Sequence, residues 1–158
     1  MSRRVLITGC SSGIGLASAR LLKARGWRVL ASARRMDDLA MLEREVGVTP
    51  ILLDLADPAS IAHAANEALR LTGGRLTALF NNGAYGQVGA VEDLMPDRLR
   101  RQLEVNVTGT HDLTRRLLPS MRAQGEGRLV QCSSVLGFVS APYRGAYCAS
   151  KFALEALS

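Results

Sequence analysis

The sequence predicts an α/β domain built on a doubly wound parallel sheet, and three observations carry that prediction. Short apolar runs alternate with amphipathic stretches from the start of the chain onward. The first run, Val5-Leu6-Ile7, leads into Thr8-Gly9-Cys10-Ser11-Ser12-Gly13-Ile14-Gly15, a glycine-rich turn between a strand and a helix. The composition is 47% apolar with only 4% aromatic residues, which suits a core of Val, Leu, Ile and Ala. At 158 residues the chain fits one domain, 1–158, with a core of its own.

The elements follow in order. Residues 5–7 form the first strand. Residues 14–25 read as a helix with Ile14, Ala17, Leu21 and Leu22 on one face and Gly26 as its stop. Residues 27–32 are the second strand. Asp37 or Asp38 caps a helix running to about Val46, and residues 49–53 are the third strand. Asp57-Pro58 supplies an N-cap followed by proline at the first helical position; this helix runs to about Leu71, where Gly73-Gly74 break it. Residues 76–80 are the fourth strand and 81–89 a loop. Pro96-Asp97 open a helix, a longer helix covers 107–122, and Gly125 and Gly127 close it. Residues 128–132 are the fifth strand, and the last helix includes 147–157. Right-handed crossovers then give strand order 3-2-1-4-5, with a ligand crevice between strands 1 and 4.

The net charge is +6, and 18 of the 20 basic residues are arginine. They are scattered, without aromatic interleaving or a basic recognition helix, so no nucleic-acid partner is expected. Most belong to a solvated surface; some are available to an anionic cofactor. Cys10, Cys132 and Cys148 form no CxxC pair, and His63 and His111 have no partner at metal spacing. These features predict reduced thiols, no metal and a cytoplasmic location. The apolar run after Arg3-Arg4 is too short for the ~7–15 residues of a signal peptide. No stretch approaches the ~20 apolar residues of a membrane span.

Gly9, Gly13 and Gly15 allow a tight turn and close backbone approach, and the helix that follows offers free N–H groups to a pyrophosphate. Thr8, Gly9, Ser11, Ser12, Gly13, Ile14 and Gly15 are therefore the first cofactor-binding candidates. The second strand ends Ala31-Ser32-Ala33-Arg34-Arg35, with no carboxylate before Asp37. A carboxylate there would accept the ribose hydroxyls of NAD, whereas an arginine pairs with a 2′-phosphate. Arg34 and Arg35 thus point to NADP(H) over NAD(H), against the plainer reading of a solvated turn. Asp54 can accept the adenine amino group or serve only as a turn residue.

Tyr147 and Lys151, four apart, share one helix face. A free phenol is mostly protonated at neutral pH, and a nearby ammonium favours its anion. The pair can then exchange a proton with a carbonyl or alcohol oxygen while hydride moves at carbon. Ser134, at the C-terminal end of the fifth strand, can hold the same oxygen. Asn106, opening the long helix, is either a fourth member or an N-cap. Together these residues describe an oxidoreductase that uses a nicotinamide cofactor.

Thr8 to Gly15, Asp54, Asn81-Asn82, Asn106, Ser133-Ser134, Tyr147 and Lys151 resemble the short-chain dehydrogenase/reductase family, in its main single-domain branch, along the whole chain. The resemblance implies a Rossmann fold. It implies a catalytic triad of Ser134, Tyr147 and Lys151, with Asn106 sustaining a water-linked proton relay. It also implies that Lys151 binds the nicotinamide ribose and that Asn82 belongs to the cofactor site. The segments 8–16 and 147–155 are similar to those of steroid and retinol dehydrogenases. The implied substrate is a small carbonyl or alcohol compound. The implied assembly, for a full-length protein, is a homo-dimer or homo-tetramer through the long helix and the last one.

Two departures stand out. Asn81-Asn82-Gly83-Ala84 has its alanine after the glycine rather than before it, so Ala84 carries strain if that position needs a positive φ. The final helix also ends without a stop signal. The family continues beyond this point, so the chain is expected to be C-terminally truncated, with its fifth strand an open edge. The alternative function is then an inactive nucleotide-binding or interaction remnant of such an enzyme.

Overall fold

A computed structural model describes residues 3–158. Strands β1 (Arg4–Ile7), β2 (Arg28–Ala33), β3 (Thr49–Leu52), β4 (Ala78–Asn81) and β5 (Arg128–Gln131) form one sheet in the order β3-β2-β1-β4-β5. Every pairing is parallel. Helices α1 (Gly13–Ala24), α2 (Met36–Met41), α3 (Pro58–Thr72), α4 (Pro96–Leu103), α5 (Thr110–Ala123) and α6 (Gly145–Ala156) provide the crossovers and layers. None is long and apolar enough to cross a membrane.

The period of two along each strand divides the core. Leu6 lies level with Leu30 of β2 and Leu79 of β4. These three are buried with Ile61, Ala64 and Ala68 of α3 and Leu113, Leu117 and Met121 of α5. Val5, Ile7, Val29, Ala31 and Ala33 alternate with them and join Ala19 of α1 and Leu39 of α2 in a second cluster. Both faces of β1 and β2 are thereby covered, as expected of a parallel sheet. At the β5 edge Leu129 and Val130 remain 37% and 49% exposed.

Three local expectations are corrected. The buried face of α1 is Gly15 and Ala19, with Leu16 and Leu22 half-buried; Ile14, Ala17 and Leu21 are exposed. Small residues let this helix lie close to the sheet, so a longer apolar stripe is not needed. Arg35, not an aspartate, holds the N-cap position of α2; Asp37 and Asp38 fall in its first turn, where the helix dipole favours them. The helix then continues through a π-turn, Leu42–Val46, to Gly47 at φ 69°. Asn106 does not open a helix. A single rod runs from Pro96 to Ala123, and Asn106 sits in the π-turn Glu104–Gly109 that joins α4 to α5. Ala84 carries no positive φ: Tyr143 alone among the described non-glycine residues does. The cap of α3 is as expected, with Ala59 N–H donating to Asp57 Oδ1 at 2.9 Å.

Candidate active site

The ends of β1 and β4 are tied together through Thr8. Its Oγ1 accepts hydrogen bonds from the backbone N–H groups of Asn82 (2.9 Å) and Gly83 (2.7 Å). The side-chain Nδ2 of Asn82 donates to Thr8 O (3.0 Å) and Gly9 O (3.1 Å). Asn82 therefore holds the glycine turn in place as well as lining the crevice. Gly9, at φ 69°, has no room for a side chain, because a Cβ there would lie 2.7 Å from Gly83 Cα. Gly15 is equally closed, since its Cβ would fall on the Gly9 carbonyl. Gly13 is different: at φ 55° it faces open space.

Beside the turn lies a cleft of ≈ 310 Å³ lined by Thr8, Gly9, Ser11, Ser12 and Ile14 of the turn, and by Ser32, Ala33 and Arg34 at the end of β2. Leu53, Asp54 and Leu55 after β3 and residues 82–85 after β4 complete the walls. The shape, the free helix N-terminus and the side-chain-free cradle fit a dinucleotide. Arg34 lies in the cleft wall. Arg35 does not; it faces Asp37 at 3.5 Å, both highly exposed. Asp54 lines the cleft while its Oδ1 accepts from Ala56 N–H at 2.9 Å, so its turn role and its position at the site coexist.

An inner cleft continues from Ala84 and Tyr85 to Gly86, Leu136, Arg144 and Tyr147. Gly86 lies against the Tyr147 ring; a Cβ there would stand 3.4 Å from Cδ2. One turn further along α6, Lys151 is 3% exposed and its Nζ donates to Cys132 O at 2.6 Å. This ammonium is 5.6 Å from the centre of the Tyr147 ring. Burial pushes the Lys151 ammonium below the ordinary lysine value, with the Cys132 thiol and the Glu155 carboxylate opposing. Ser134 ends β5's extension and caps the short 3-10 turn Val135–Gly137, its Oγ accepting from Leu136 N–H at 3.1 Å. That turn packs on α6. Its hydroxyl proton is left for another acceptor.

Asn106, 1% exposed, is fully engaged. Its Oδ1 accepts from Tyr85 N–H (3.1 Å), and its Nδ2 donates to Tyr85 O (2.9 Å) and Ser150 Oγ (3.0 Å). Ser150 Oγ in turn donates to Tyr147 O at 2.7 Å. Gln102 continues the ladder: Nε2 donates to Tyr85 O (2.8 Å), and Oε1 accepts from Gln87 N–H (2.6 Å). The wall opposite Tyr147 is thus pinned by two amides.

The pattern of the short chain dehydrogenase family matches residues 3–158. The chain belongs to that family. A curated relative, an uncharacterized oxidoreductase YbbO of Escherichia coli strain K12, is 48% identical over 158 residues, covering 100% of this chain and 58% of that protein. A short-chain dehydrogenase of Streptomyces avermitilis, solved by crystallography, matches at TM-score 0.94 and 40% identity, over 99% of this chain and 58% of that one. A metagenomic short-chain oxidoreductase in complex with NADP matches at TM-score 0.92 and 32% identity, over 98% and 72% of the two chains. The chain thus spans little more than half the length of the curated relative and of the Streptomyces enzyme.

For this short-chain dehydrogenase, Tyr85 and Gly86 fall in the loop expected beside the crevice, whereas sequence reasoning missed Leu136, Arg144, Gln102 and Ser150. The spacing of Gln102 and Asn106 was a usable signal, since amides four apart share one helix face. Ser150 gave no comparable sign. Cys10, inside the glycine turn, is wholly buried, and its Sγ donates to Ile7 O at 3.3 Å. Burial pushes this thiol from 9.0 up to about 12, with a backbone hydrogen bond from Ser32 opposing. The unfolded chain therefore releases this proton first, and stability is lost as pH rises from 9.0 toward 12. Cys10→Ala is expected to flatten that alkaline loss by about 1 kcal/mol per pH unit, read by urea unfolding across the range.

Proposed function

We propose that the protein interconverts a carbonyl and an alcohol using NADP(H), with Tyr147 as proton donor and acceptor. The observation that carries this is the inner cleft itself: a phenol lines it, and a buried ammonium lies 5.6 Å from that ring's centre. The bound cofactor would supply or accept the hydride.

The remaining roles belong to the chain. Thr8, Gly9, Ser11, Ser12, Gly13, Ile14 and Gly15 would hold the pyrophosphate, with Asn82 fixing the turn and Asp54 near the adenine. Lys151, anchored on Cys132 O, presents its charge toward the Tyr147 ring and would reach the nicotinamide ribose. Ser134, whose hydroxyl proton has no acceptor among the described residues, would donate to the substrate oxygen and orient it toward Tyr147. Asn106 has no spare N–H; its part in a proton relay is to keep Tyr85 and Ser150 in position. The long helix and α6 would form the contact of a homo-dimer or homo-tetramer.

The preference for NADP(H) rests on Arg34, which lines the cleft where no neighbouring residue before Asp37 carries a carboxylate. Arg35 adds background charge from outside the lining. Arg34→Ala is expected to weaken NADPH binding roughly tenfold or more while changing NADH binding far less, measured by fluorescence titration. Equal losses for both cofactors would overturn the assignment. The activity is tested by following reduced-cofactor consumption with an aldehyde panel, in the parent and in Tyr147→Phe.

A further inference from the structure

Arg144 lines the inner cleft beside Tyr147, and among the described residues its guanidinium has no hydrogen-bonding or ionic partner. Six other arginines are paired with carboxylates. Arg35, Arg70, Arg100, Arg101, Arg115 and Arg116 each stand within 3.9 Å of a carboxylate oxygen. Among the described residues no carboxylate lines the inner cleft. The position is also unfavourable for a cation. Arg144 is the N-cap residue of α6, at the positive end of the helix dipole, and the first turn of α6 has no acidic residue to offset it.

The backbone around this side chain is fixed. Arg144 N–H donates to Ala141 O at 3.2 Å, and Arg144 O accepts from Cys148 N–H at 2.8 Å. Between them Pro142 and Tyr143 make a turn in which Tyr143 takes φ 60°. A turn with proline second favours glycine at the third place when φ there is positive. Tyrosine holds it here under strain. Tyr143 O accepts from Gly89 N–H at 3.0 Å, which fastens the turn to the loop across the cleft. A fixed backbone therefore presents an exposed, forked cation without a protein partner beside Tyr147.

We propose that Arg144 is the specificity residue of this site and pairs with an anionic group, a carboxylate, carried by the substrate near its reacting carbonyl. A planar guanidinium matches a carboxylate in two parallel hydrogen bonds. The location of the anion rests on the reductase reading above, since Tyr147 defines the reacting end.

The test uses the protein saturated with NADPH and two readouts. Benzoate and benzamide are titrated by ligand-observed NMR against the parent, Arg144→Gln and Arg144→Lys. The parent is expected to prefer benzoate. Arg144→Gln is expected to reduce that preference roughly tenfold, and Arg144→Lys to restore part of it, as charge without the fork would. In parallel, turnover of para-carboxybenzaldehyde is compared with that of its methyl ester, and the kcat/KM ratio is expected to fall with the binding preference. Absence of a benzoate preference in the parent overturns the proposal, even if both aldehydes are reduced. So does a preference that Arg144→Gln leaves unmoved, or a loss confined to NADPH affinity. An Arg144-dependent benzoate preference with neither aldehyde reduced sustains the anion site and counts against the reductase reading instead.

Discussion

Tyr147→Phe is expected to lower turnover by about 10²–10⁴-fold while leaving cofactor affinity close to that of the parent. Only the hydroxyl is removed. The ring that packs against Gly86 remains, as does the anchoring of Lys151 on Cys132 O. Tyr85 provides the contrast, because it lines both clefts but, among the described residues, no ammonium lies over its ring. Tyr85→Phe should cost turnover much less. Initial rates with NADPH and an aldehyde, together with cofactor titration by fluorescence, decide the matter. Equal turnover in parent and Tyr147→Phe would assign the proton transfer elsewhere. A parent that binds NADPH but shows no turnover with any aldehyde would favour the binding-remnant reading.

Gly109→Ala is expected to give the largest stability loss of any single methyl addition in the chain. The new Cβ would fall on the carbonyl of Leu55 and press on its carbon as well. A backbone carbonyl cannot rotate aside as a side chain can, so either the helical rod or the segment after β3 must move. Overpacking usually costs ~1–3 kcal/mol, and backbone contact puts this case at or above the top of that range. The thermal midpoint should fall by roughly 6–12 °C. Gly145→Ala is the matched control, since nothing lies within 4 Å of its Cβ position and its φ is ordinary. A calorimetric scan in which the two variants melt alike would show that the rod is not seated on Leu55.

The sheet was legible because parallel strands leave two signatures. Short apolar runs mark the strands, and glycine or Asx–proline junctions mark the crossovers, as at Gly9–Gly15 and Asp57-Pro58. Positions fixed by chemistry were legible too: Thr8, Arg34 and Tyr147 all line the clefts, and Lys151 lies buried beside the Tyr147 ring. What failed was inference from apolarity alone. Ile14 and Leu21 looked like the inward face of α1, but the helix approaches the sheet through Gly15 and Ala19, and Ile14 rims the cleft instead. Arg35 could not be told from Arg34 by composition, because the distinction is which side of the chain turn each faces. Arg144 carried no signal at all, since its position depends on a turn held by a strained tyrosine.

The π-turn at Glu104–Gly109 has a consequence for phase. The inward positions along the rod, Val105, Gly109, Leu113, Leu117 and Met121, recur every four residues. In a regular α-helix such a stripe drifts, turning by about 160° over that span, because the repeat is 3.6 residues. A wider turn advances less per residue and takes back part of the drift. One rod can therefore point Gln102 and Asn106 at the cleft wall and Leu117 and Met121 into the core. Shortening that turn by a residue would act like slipping a gear by one tooth: the sequence on either side would be unchanged, but the two halves would no longer face the same way.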